Sequence, residues 1–360
     1  MKIAVYAIAK NEAKHADRFM ASARDADGVY VLDTGSTDGT AKTLSAAGAK
    51  VEQQSLDSWR FDAARNKALA MVPDDYAACV VLDLDEVLVP GWRAALEKEI
   101  SGGAARVQAR YTFSWTGEGK PDLVYYMDRA HRRNGYEWSG IVHECLVAQA
   151  SCLPEKVAQS DAFQIHHHQD VQKSRAQYLP LLERACAENP ENDRNAHYLG
   201  REYWYRKDFQ RCITELTRHL TLKTAVWQPE RAASMRYIGQ AFEGLGDKAN
   251  AERWILRACA EWAEDRESWV LLGLYYSRQR NYAGGHYAAL RALQITQRPL
   301  HYMTTHEAWG ALPYDLAAFC AYHLGNLAEA VKLYQQALVL EPDNQRLKTD
   351  FESVLKARTA

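Results

Sequence analysis

Two aspartates one residue apart follow an apolar run and could hold a metal ion. The run extends from Val80 to Leu82, and Asp83 and Asp85 come after it. If the strand continues through this motif, side-chain alternation points both carboxylates to the same side. Two carboxylates that close repel each other and are costly to desolvate, unless a cation or protons join them. Because hard oxygen ligands suit Mg²⁺ and Mn²⁺, the motif predicts a divalent cation site formed by Asp83 and Asp85.

A second polar motif follows another strand-like run and opens a predicted helix. It reads Asp33-Thr-Gly-Ser-Thr-Asp-Gly-Thr40. Gly35 permits a tight turn, and Ser36 or Thr37 can cap the helix. The free backbone amides at such a helix start favour a negatively charged ligand nearby. An ordinary strand-to-helix turn would contain the same residue types, so this motif alone leaves both interpretations open.

Arg65 and a run of three histidines are further candidates for the same site. Arg65 lies in a predicted helix, where it could contact a diphosphate or a base; the alternative is a solvated helix face. His166, His167 and His168 follow an apolar run. Three adjacent side chains cannot all point to one side of a strand, so at most two of them would bind a metal.

The motifs lie in a part of the sequence where strand-like and helical segments alternate. The strand-like runs are Ile3 to Ala9, Val29 to Asp33 and Cys79 to Asp83; the helical ones are Ala13 to Ala26, Gly39 to Ala47 and Phe61 to Met71. Such alternation predicts a largely parallel, Rossmann-like α/β sheet with helices on both faces. Ligands of these sheets bind outside the carboxyl ends of the strands.

After Lys173 the sequence changes to a repeated helical pattern. The motif Leu199-Gly200-x-x-Tyr203 recurs as Ile238-Gly239-x-x-Phe242 and as Leu272-Gly273-x-x-Tyr276, with a weaker fourth copy from Ala318 to Pro342. The spacing is near that of the tetratricopeptide repeat, at about 34 residues, with an insertion from Ile295 to Leu312. We therefore predict two domains, residues 1–170 and an all-α array at 171–360.

Bulk properties narrow the class of protein. The formal net charge is −2, from 44 basic and 46 acidic residues, so the chain has no overall positive field for nucleic acid or an anionic membrane. The seven cysteines contain no Cys-x-x-Cys pair, as expected for free thiols in a reducing compartment. We interpret the start as a strand rather than a signal peptide, and no apolar run is long enough to span a membrane. These features predict a cytoplasmic protein.

Five motifs in order resemble family 2 glycosyltransferases of the GT-A fold. They are Ala9-Lys-Asn11-Glu12, Asp33 to Thr40, Ala64-Arg65-Asn66-Lys-Ala-Leu69, Leu82-Asp-Leu-Asp-Glu86 and Gly140-Ile-Val-His143-Glu144. With its helical array, the chain is similar to bacterial family 2 enzymes fused to tetratricopeptide repeats. These include peptide S-glycosyltransferases and are related to lipopolysaccharide-core glucosyltransferases. The resemblance implies a GT-A domain followed by an all-α tetratricopeptide-like array.

The resemblance also implies a nucleotide pocket. Asn11, Glu12 and Asp33 would line it, with Asp33 facing the base, and Arg65 would approach the base or the diphosphate. Asp83 would contact the ribose, or the metal through water. A nucleotide-sugar is the implied donor, with a UDP-sugar as the first expectation.

The implied metal is Mn²⁺ or Mg²⁺. Asp85 would bind it directly and Asp83 would assist. A histidine late in the domain often adds a ligand in this family, and we expect His167 ahead of His166 or His168. Relatives commonly show one histidine followed by an aromatic residue at this point, so the run of three departs from the pattern.

Family 2 members of this fold invert the anomeric centre and use a carboxylate base to deprotonate the acceptor. The match at His143 and Glu144 makes Glu144 the expected base, with Asp128 as the alternative. The same two residues would also suit an ordinary surface strand.

The acceptor is the most open part of the sequence interpretation. Arrays of helix pairs commonly bind peptides or proteins, which makes a polypeptide acceptor the leading hypothesis and self-association into a homo-oligomer the next. A modified DNA base is an alternative, because aromatic residues and arginines such as Arg201, Arg206 and Arg211 could bind an unpaired strand. A lipopolysaccharide or other glycan acceptor is another. A catalytically inactive scaffold built on the repeats is a different class of answer, which the intact Asp83 and Asp85 pair opposes.

Overall fold

The computed structural model describes residues 1–170 and 176–359, and the chain divides into two compact units. The first consists of Met1–Ala185 and Leu300–Tyr302, and the second of Cys186–Pro299 and Met303–Ala360. The predicted change of pattern after Lys173 and the start of the predicted second domain at residue 171 lie outside the described residues. The boundary between residues 170 and 171 therefore stays a prediction.

The first unit is built on a mixed eight-stranded sheet. Its described strands are β1 (Ile3–Ala9), β2 (Gly28–Asp33), β3 (Lys50–Gln53), β4 (Ala78–Val81), β5 (Glu86–Leu88), β6 (Arg106–Thr112), β7 (Val124–Arg132), β8 (Tyr136–Ser139), β9 (Cys145–Ala148) and β10 (Val157–His167). The sheet order is β3-β2-β1-β4-β7-β6-β10-β5, and β8 pairs with β9 separately. The first four strands in this order are parallel, as predicted, and β6 is parallel to β10. Strand β7 runs antiparallel to both of its neighbours, and β5 runs antiparallel to β10.

Helices pack on both faces of this sheet. They are α1 (Ala13–Ser22), α2 (Thr40–Ala46), α3 (Phe61–Ala70) and α4 (Trp92–Ser101). The next described helix along the chain is α5 (Tyr178–Glu188). Strand β1 shows the two faces by alternation: Val5 joins a core with Phe19 and Trp92, while Tyr6 joins the opposite core with Leu69. Each such buried side chain contributes about 1.5–3 kcal/mol to stability. The predicted β1 is confirmed residue for residue, whereas α1 ends at Ser22 instead of Ala26.

The second unit is an all-helical array, as predicted. Its helices are α6 (Asp193–Tyr205), α7 (Phe209–Thr221), α8 (Gln228–Gly244), α9 (Lys248–Glu261), α10 (Arg266–Arg278), α11 (Tyr282–Gln294), α12 (His306–Trp309), α13 (Leu312–His323), α14 (Leu327–Leu340) and α15 (Gln345–Thr359). Among the described residues, no helix combines the length and hydropathy needed to cross a membrane.

The repeated glycines of the sequence pattern are points of close helix approach. A Cβ atom added at Gly200 would lie 2.3 Å from Leu216 Cδ2, and one added at Gly239 would lie 2.6 Å from Ile255 Cγ1. Gly273 meets a leucine of α13 at 2.7 Å in the same way. At these distances the neighbouring leucine or isoleucine side chain would have to shift to admit a Cβ atom, so glycine permits the close approach of the helices at these places.

The second helix of several pairs begins with the same type of cap. Asp208, Asp247 and Asn281 each accept a hydrogen bond from the backbone amide three residues further on, at the starts of α7, α9 and α11. Such caps satisfy one of the free amides of the first helical turn. The periodic caps and glycines together explain why the array could be predicted from the sequence.

Candidate active site

Asp83 and Asp85 lie in a turn between two strands. Strand β4 ends at Val81, and the amide of Glu86 donates to the Asp83 carbonyl oxygen at 2.9 Å. The prediction of a strand through Asp83 and Asp85 was wrong. The Asp83 amide donates to Glu86 Oε2 at 2.9 Å, so a side chain takes the place that a neighbouring strand would have.

Asp83 is held by two arginines. Arg65 Nη2 lies 2.9 Å from Asp83 Oδ1 and 3.2 Å from Oδ2, and Arg129 Nη1 lies 3.8 Å from Oδ2. Burial alone would raise the pKa of this carboxyl, but the charges of Arg65 and Arg129 lower it to about 2. The carboxylate is therefore ionised at neutral pH. Its side chain keeps 32% exposure, which leaves one edge open to a ligand.

Glu86 is a buried carboxylate below the same turn. It is 1% exposed, and its Oε1 accepts hydrogen bonds from Tyr111 Oη at 2.6 Å and from the Arg129 guanidinium. Burial raises the pKa of Glu86 to about 7, against the opposing charge of Arg129. Together with the bond from the Asp83 amide, these contacts fix both ends of the turn.

Asp85 faces His167 at the end of β10. His167 Nε2 lies 3.4 Å from Asp85 Oδ2, and His167 Nδ1 lies 3.1 Å from the Phe113 carbonyl oxygen. Because a carbonyl only accepts, Nδ1 carries a proton, and Nε2 is the atom presented to Asp85. Burial disfavours the charged ring, yet the hydrogen bond and charge of Asp85 raise the pKa of His167.

The three adjacent histidines are divided between two surroundings. His166 and His168 both contact the Trp115 ring, with centroid distances of 4.8 and 6.1 Å. His167 instead faces Asp85. The structure therefore brings the His167 side chain, and not those of its neighbours, against the Asp85 carboxylate, while the His168 amide donates to the Asp85 carbonyl oxygen at 2.8 Å.

The pair formed by Asp85 and His167 fits a divalent cation. It supplies one carboxylate oxygen and one imidazole nitrogen, and a carbonyl behind the ring fixes its orientation, as is usual for metal-binding histidines. Within residues 1–170 and 176–359, no group of three or more His, Cys, Asp or Glu side chains is arranged to hold a metal. Two protein ligands suit a cation that also takes substrate phosphates and water.

Arg65 also joins the aspartate turn to Glu144. Its Nε donates to Glu144 Oε1, and both side chains are less than a tenth exposed. The guanidinium also lies 5.2 Å from the Trp138 ring centroid. Arg65 Nη1 is buried without a hydrogen-bond partner among the described residues. Arg65 is thus part of a buried network, and the alternative of a solvated helix face was wrong.

The segment that carries Glu144 is anchored to α3. Asn66 makes two hydrogen bonds to the Trp138 backbone, at 2.7 and 2.8 Å, and Asp62 Oδ2 accepts one from the Gly140 amide at 2.9 Å. His143 has φ 52°, in the left-handed region that non-glycine residues rarely adopt. Residues 140–144 therefore form an anchored loop, and the alternative of an ordinary surface strand for His143 and Glu144 was wrong.

Asp128, the alternative base, has other partners. It accepts hydrogen bonds from Arg106 at 2.9 Å and from Gln108 at 3.0 Å, and Arg106 also binds Glu155. The structure thus links Glu144 to Asp83 through Arg65, while the contacts of Asp128 belong to a separate group of charges.

Asp33 and Asn11 hold the loop that follows β2. Asp33 Oδ1 accepts bonds from the amides of Gly35 and Ser36, at 2.9 and 2.8 Å. Its other oxygen, Oδ2, is buried and has no hydrogen-bond partner among the described residues. Asn11 Oδ1 accepts a hydrogen bond from the Thr37 backbone amide at 2.8 Å, and the Asn11 backbone amide donates to Ser36 Oγ at 2.8 Å. The loop is therefore closed around a carboxylate oxygen that is available to a donor.

Glu12 lies beside this loop. Its amide donates to Thr40 Oγ1 at 2.8 Å, and its carboxylate lies 3.8 Å from His15 Nε2. An open cavity of about 370 Å³ adjoins the start of α2 and is lined in part by Ser36, Thr37 and Lys42.

Two residues of the network, Arg129 and Tyr111, were not found from the sequence. Arg129 is 3% exposed in β7, but this strand also carries Asp128, His131 and Arg132, so a charged residue there did not stand out in the sequence. Tyr111 cannot be told from an ordinary core aromatic by its sequence surroundings.

Comparisons with known proteins agree with this division of the chain. Residues 5–146 match the model of the glycosyl transferase family 2, and residues 311–344 match that of the tetratricopeptide repeat. A "TPR repeat-containing protein" of Synechococcus elongatus is 38% identical over 91 residues, which cover 24% of this chain and 21% of the relative. The match thus spans about a fifth of the length of that curated relative.

Solved structures that resemble part of the chain include three with low sequence identity. The APC/C hetero-tetramer Cut9–Hcn1 is 13% identical with a TM-score of 0.41, covering 51% of this chain and 33% of its own. Pseudomonas aeruginosa pilF is 14% identical with a TM-score of 0.39, covering 48% and 72%. MamA is 19% identical with a TM-score of 0.38, covering 47% and 89%.

The family match contains the aspartate turn, Arg65 and Glu144, which the structure links through ion pairs, and also Asp33 at the end of β2. Residues 5–146 are therefore a family 2 glycosyltransferase domain, in a chain whose helical array includes a tetratricopeptide repeat.

Proposed function

We propose that this chain is a cation-dependent, inverting glycosyltransferase that moves a sugar from a nucleotide-sugar, in the first place a UDP-sugar, to a peptide or protein acceptor. The observation that carries the proposal is the pairing of Asp85 with His167, next to the chain of contacts from Asp83 through Arg65 to Glu144. In one family 2 domain these groups supply a cation site, a nucleotide contact and a base.

Asp33 supports a nucleotide donor. Leaving its buried Oδ2 without a partner costs about 1–3 kcal/mol, which a ring N–H of uracil would offset by donating to it. Asn11 and Glu12 hold the loop that surrounds this oxygen. Their role is to keep the pocket in shape before the donor arrives.

Asp85 and His167 would hold Mn²⁺ or Mg²⁺ in this proposal. When bound, the cation supplies electrostatic stabilisation of the departing diphosphate. Asp83 stays ionised between Arg65 and Arg129, and its exposed edge can accept a ribose hydroxyl. Arg65 carries a buried Nη1 without a partner, which fits its expected approach to the diphosphate.

Glu144 is the proposed base. Its carboxylate is paired with Arg65, which also pairs with Asp83, so the proposed base is joined to the aspartate turn. The loop from residue 140 to residue 144 is fixed to α3, so the carboxylate has a defined position. Asp128 remains the alternative, although its carboxylate is committed to Arg106 and Gln108.

A peptide or protein acceptor is proposed because the chain carries a tetratricopeptide repeat, and arrays of this kind commonly bind polypeptides. Homo-oligomer formation and a cytoplasmic location stay predictions from the sequence.

The experiment is hydrolysis of a panel of nucleotide-sugars with Mn²⁺ or Mg²⁺, comparing the native chain with Asp85→Ala. We expect native turnover with at least one donor and a loss on the order of 100-fold in the variant. Asp75→Asn is the matched control, since Asp75 is 61% exposed and pairs with Lys2. Equal turnover by the native chain and Asp85→Ala would contradict the proposal.

A further inference from the structure

Arg129 is a buried cation in the middle of the sheet. Its side chain is 4% exposed on β7, and its nearest partners are the Glu86 carboxylate, Asp83 Oδ2 at 3.8 Å and the Tyr111 ring at 5.0 Å. Burying a guanidinium is costly unless good geometry and hydrogen bonds repay the lost hydration. Every partner it has here belongs to the surroundings of the aspartate turn.

Backbone and side-chain contacts both hold the turn. The Glu86 amide donates to the Asp83 carbonyl oxygen and the His168 amide to the Asp85 carbonyl oxygen, at 2.9 and 2.8 Å. The Asp83 amide is bound by Glu86 Oε2, and the position of the Glu86 side chain depends on what holds its other oxygen, which Tyr111 Oη and Arg129 do. Removing the guanidinium would leave the Glu86 carboxylate with neutral donors alone, which are weak partners for a buried charge.

The same contacts extend to the second proposed cation ligand. The Tyr111 ring lies almost parallel to the His167 ring, with centroids 6.1 Å apart and an interplanar angle of 24°. Strand β10 also pairs His167 directly with Glu86. Arg129 therefore contacts, through Glu86 and Tyr111, both elements that carry the cation ligands.

We propose that Arg129 is a positioning residue for glycosyl transfer, which fixes the turn from Asp83 to Glu86 so that Asp85 and His167 face each other at cation-binding distance. This inference rests on the proposed function, because it assigns Arg129 a role in the same site. Arg129 acts through Glu86 and Tyr111 rather than by touching the donor. Loss of Arg129 therefore weakens cation binding more than it slows the chemical step.

The test compares Arg129→Lys and Arg129→Met with the native chain and with Arg133→Lys. Arg133 is the control because it is a nearby arginine with 13% exposure that binds the Val72 carbonyl and Asp74. Mn²⁺ binding is measured by calorimetry with the metal and UDP, and the Mn²⁺ dependence of donor hydrolysis gives KM and kcat separately. Amide hydrogen exchange at Asp83 and Glu86 reports the turn directly, with circular dichroism as the check on folding.

We expect Arg129→Met to weaken Mn²⁺ binding by about 10–100-fold, as is usual for residues behind metal ligands, and to speed exchange at the Asp83 amide. Arg129→Lys keeps the charge but not the planar fork, so it should recover part of the affinity. Arg133→Lys should stay within about twofold of the native chain, because its partners are remote from the turn.

The outcomes separate the two proposals. A native chain that hydrolyses donors, beside a folded Arg129→Met variant with native Mn²⁺ affinity and native exchange, would overturn the role of Arg129 alone. A native chain that neither binds Mn²⁺ nor hydrolyses any donor would overturn the proposed function and the positioning role with it. If the native chain were inactive in this way, faster amide exchange in Arg129→Met would show only that Arg129 supports the turn.

Discussion

The active-site region and the helical array differ in the sequence separation of the residues whose contacts hold them in place. In the first, Arg65 binds Glu144 across 79 residues and Arg129 binds Glu86 across 43. In the second, caps such as Asp247 act over three residues, and the glycines recur with the repeat. The array also contains a buried ion pair between Arg236 and Asp265, which are 29 residues apart. Because most of its contacts recur within and between neighbouring helix pairs, a single cap or glycine change there should cost less than the loss of a unique charge pair in the active-site region.

The largest effect is expected at Arg65. Replacement by Met leaves Glu144 buried without its cation and Asp83 with Arg129 alone, which costs about 3–5 kcal/mol of stability and should reduce donor hydrolysis at least as much as Asp85→Ala does. Urea unfolding and the hydrolysis assay measure both effects. Arg93→Met is the control, since Arg93 is 27% exposed. If Arg93→Met lost as much stability and hydrolysis as Arg65→Met, the prediction that the Arg65 ion pairs matter more than an exposed ion pair would be wrong.

Acidification should weaken the sheet unit through His131. This ring donates from Nδ1 to the Arg132 carbonyl and accepts from Tyr6 Oη, which accepts in turn from Trp138 Nε1. Burial lowers the pKa of His131 to about 4, below its unfolded value of about 6.5. Because the unfolded chain binds this proton first, the stabilising effect is complete above pH 6.5 and is lost as the pH falls towards 4.

The size of that loss is about 3 kcal/mol, from the separation of the two pKa values. Urea unfolding between pH 7 and 4.5 measures it, and His131→Gln should show a shallower dependence than the native chain. Identical slopes would mean that the pKa of His131 is the same in the folded and the unfolded chain. A histidine ring signal that titrates near pH 6.5 would lead to the same conclusion.

In the array, Gly239→Ala should destabilise by about 1–2 kcal/mol. The new methyl would meet Ile255 Cγ1 at 2.6 Å and the Ala251 carbonyl oxygen at 3.3 Å, and this overpacking outweighs the gain of about 1 kcal/mol in helix propensity. Thermal unfolding is the measurement. Gly117→Ala, where an added methyl meets nothing within 4 Å, should be close to neutral. Stabilisation by Gly239→Ala would show that the helices can move apart freely.

The smallest effect is expected from a helix cap. Asp247→Ala removes the acceptor of the Asn250 amide at the start of α9 and should cost about 1 kcal/mol, whereas Asp247→Ser keeps an acceptor and should cost less. Donor hydrolysis should not change in either variant. A loss of hydrolysis with Asp247→Ala would contradict the view that such contacts act locally.

The same comparison explains what the sequence could predict. Strand β1 and the repeat glycines could be predicted from patterns of residue type within a few positions of the sequence, and the structure confirms both. The turn at Asp83 was missed because the strand pattern stops without a turn signal: the bond that closes it comes from the side chain of Glu86. The link between Arg65 and Glu144 depends on the folding of β8 and β9 against α3, which no local pattern records.

The free oxygen of Asp33 has a consequence for the choice of base. A carboxylate accepts hydrogen bonds and does not donate them, so the edge of the base that meets it must present an N–H. Uracil and guanine carry a proton on the ring nitrogen of that edge, whereas cytosine and adenine offer only an exocyclic amino N–H beside a ring nitrogen whose lone pair the carboxylate would repel. A single buried oxygen at the end of β2 would thus act as a filter on nucleotides before any contact with the sugar is made.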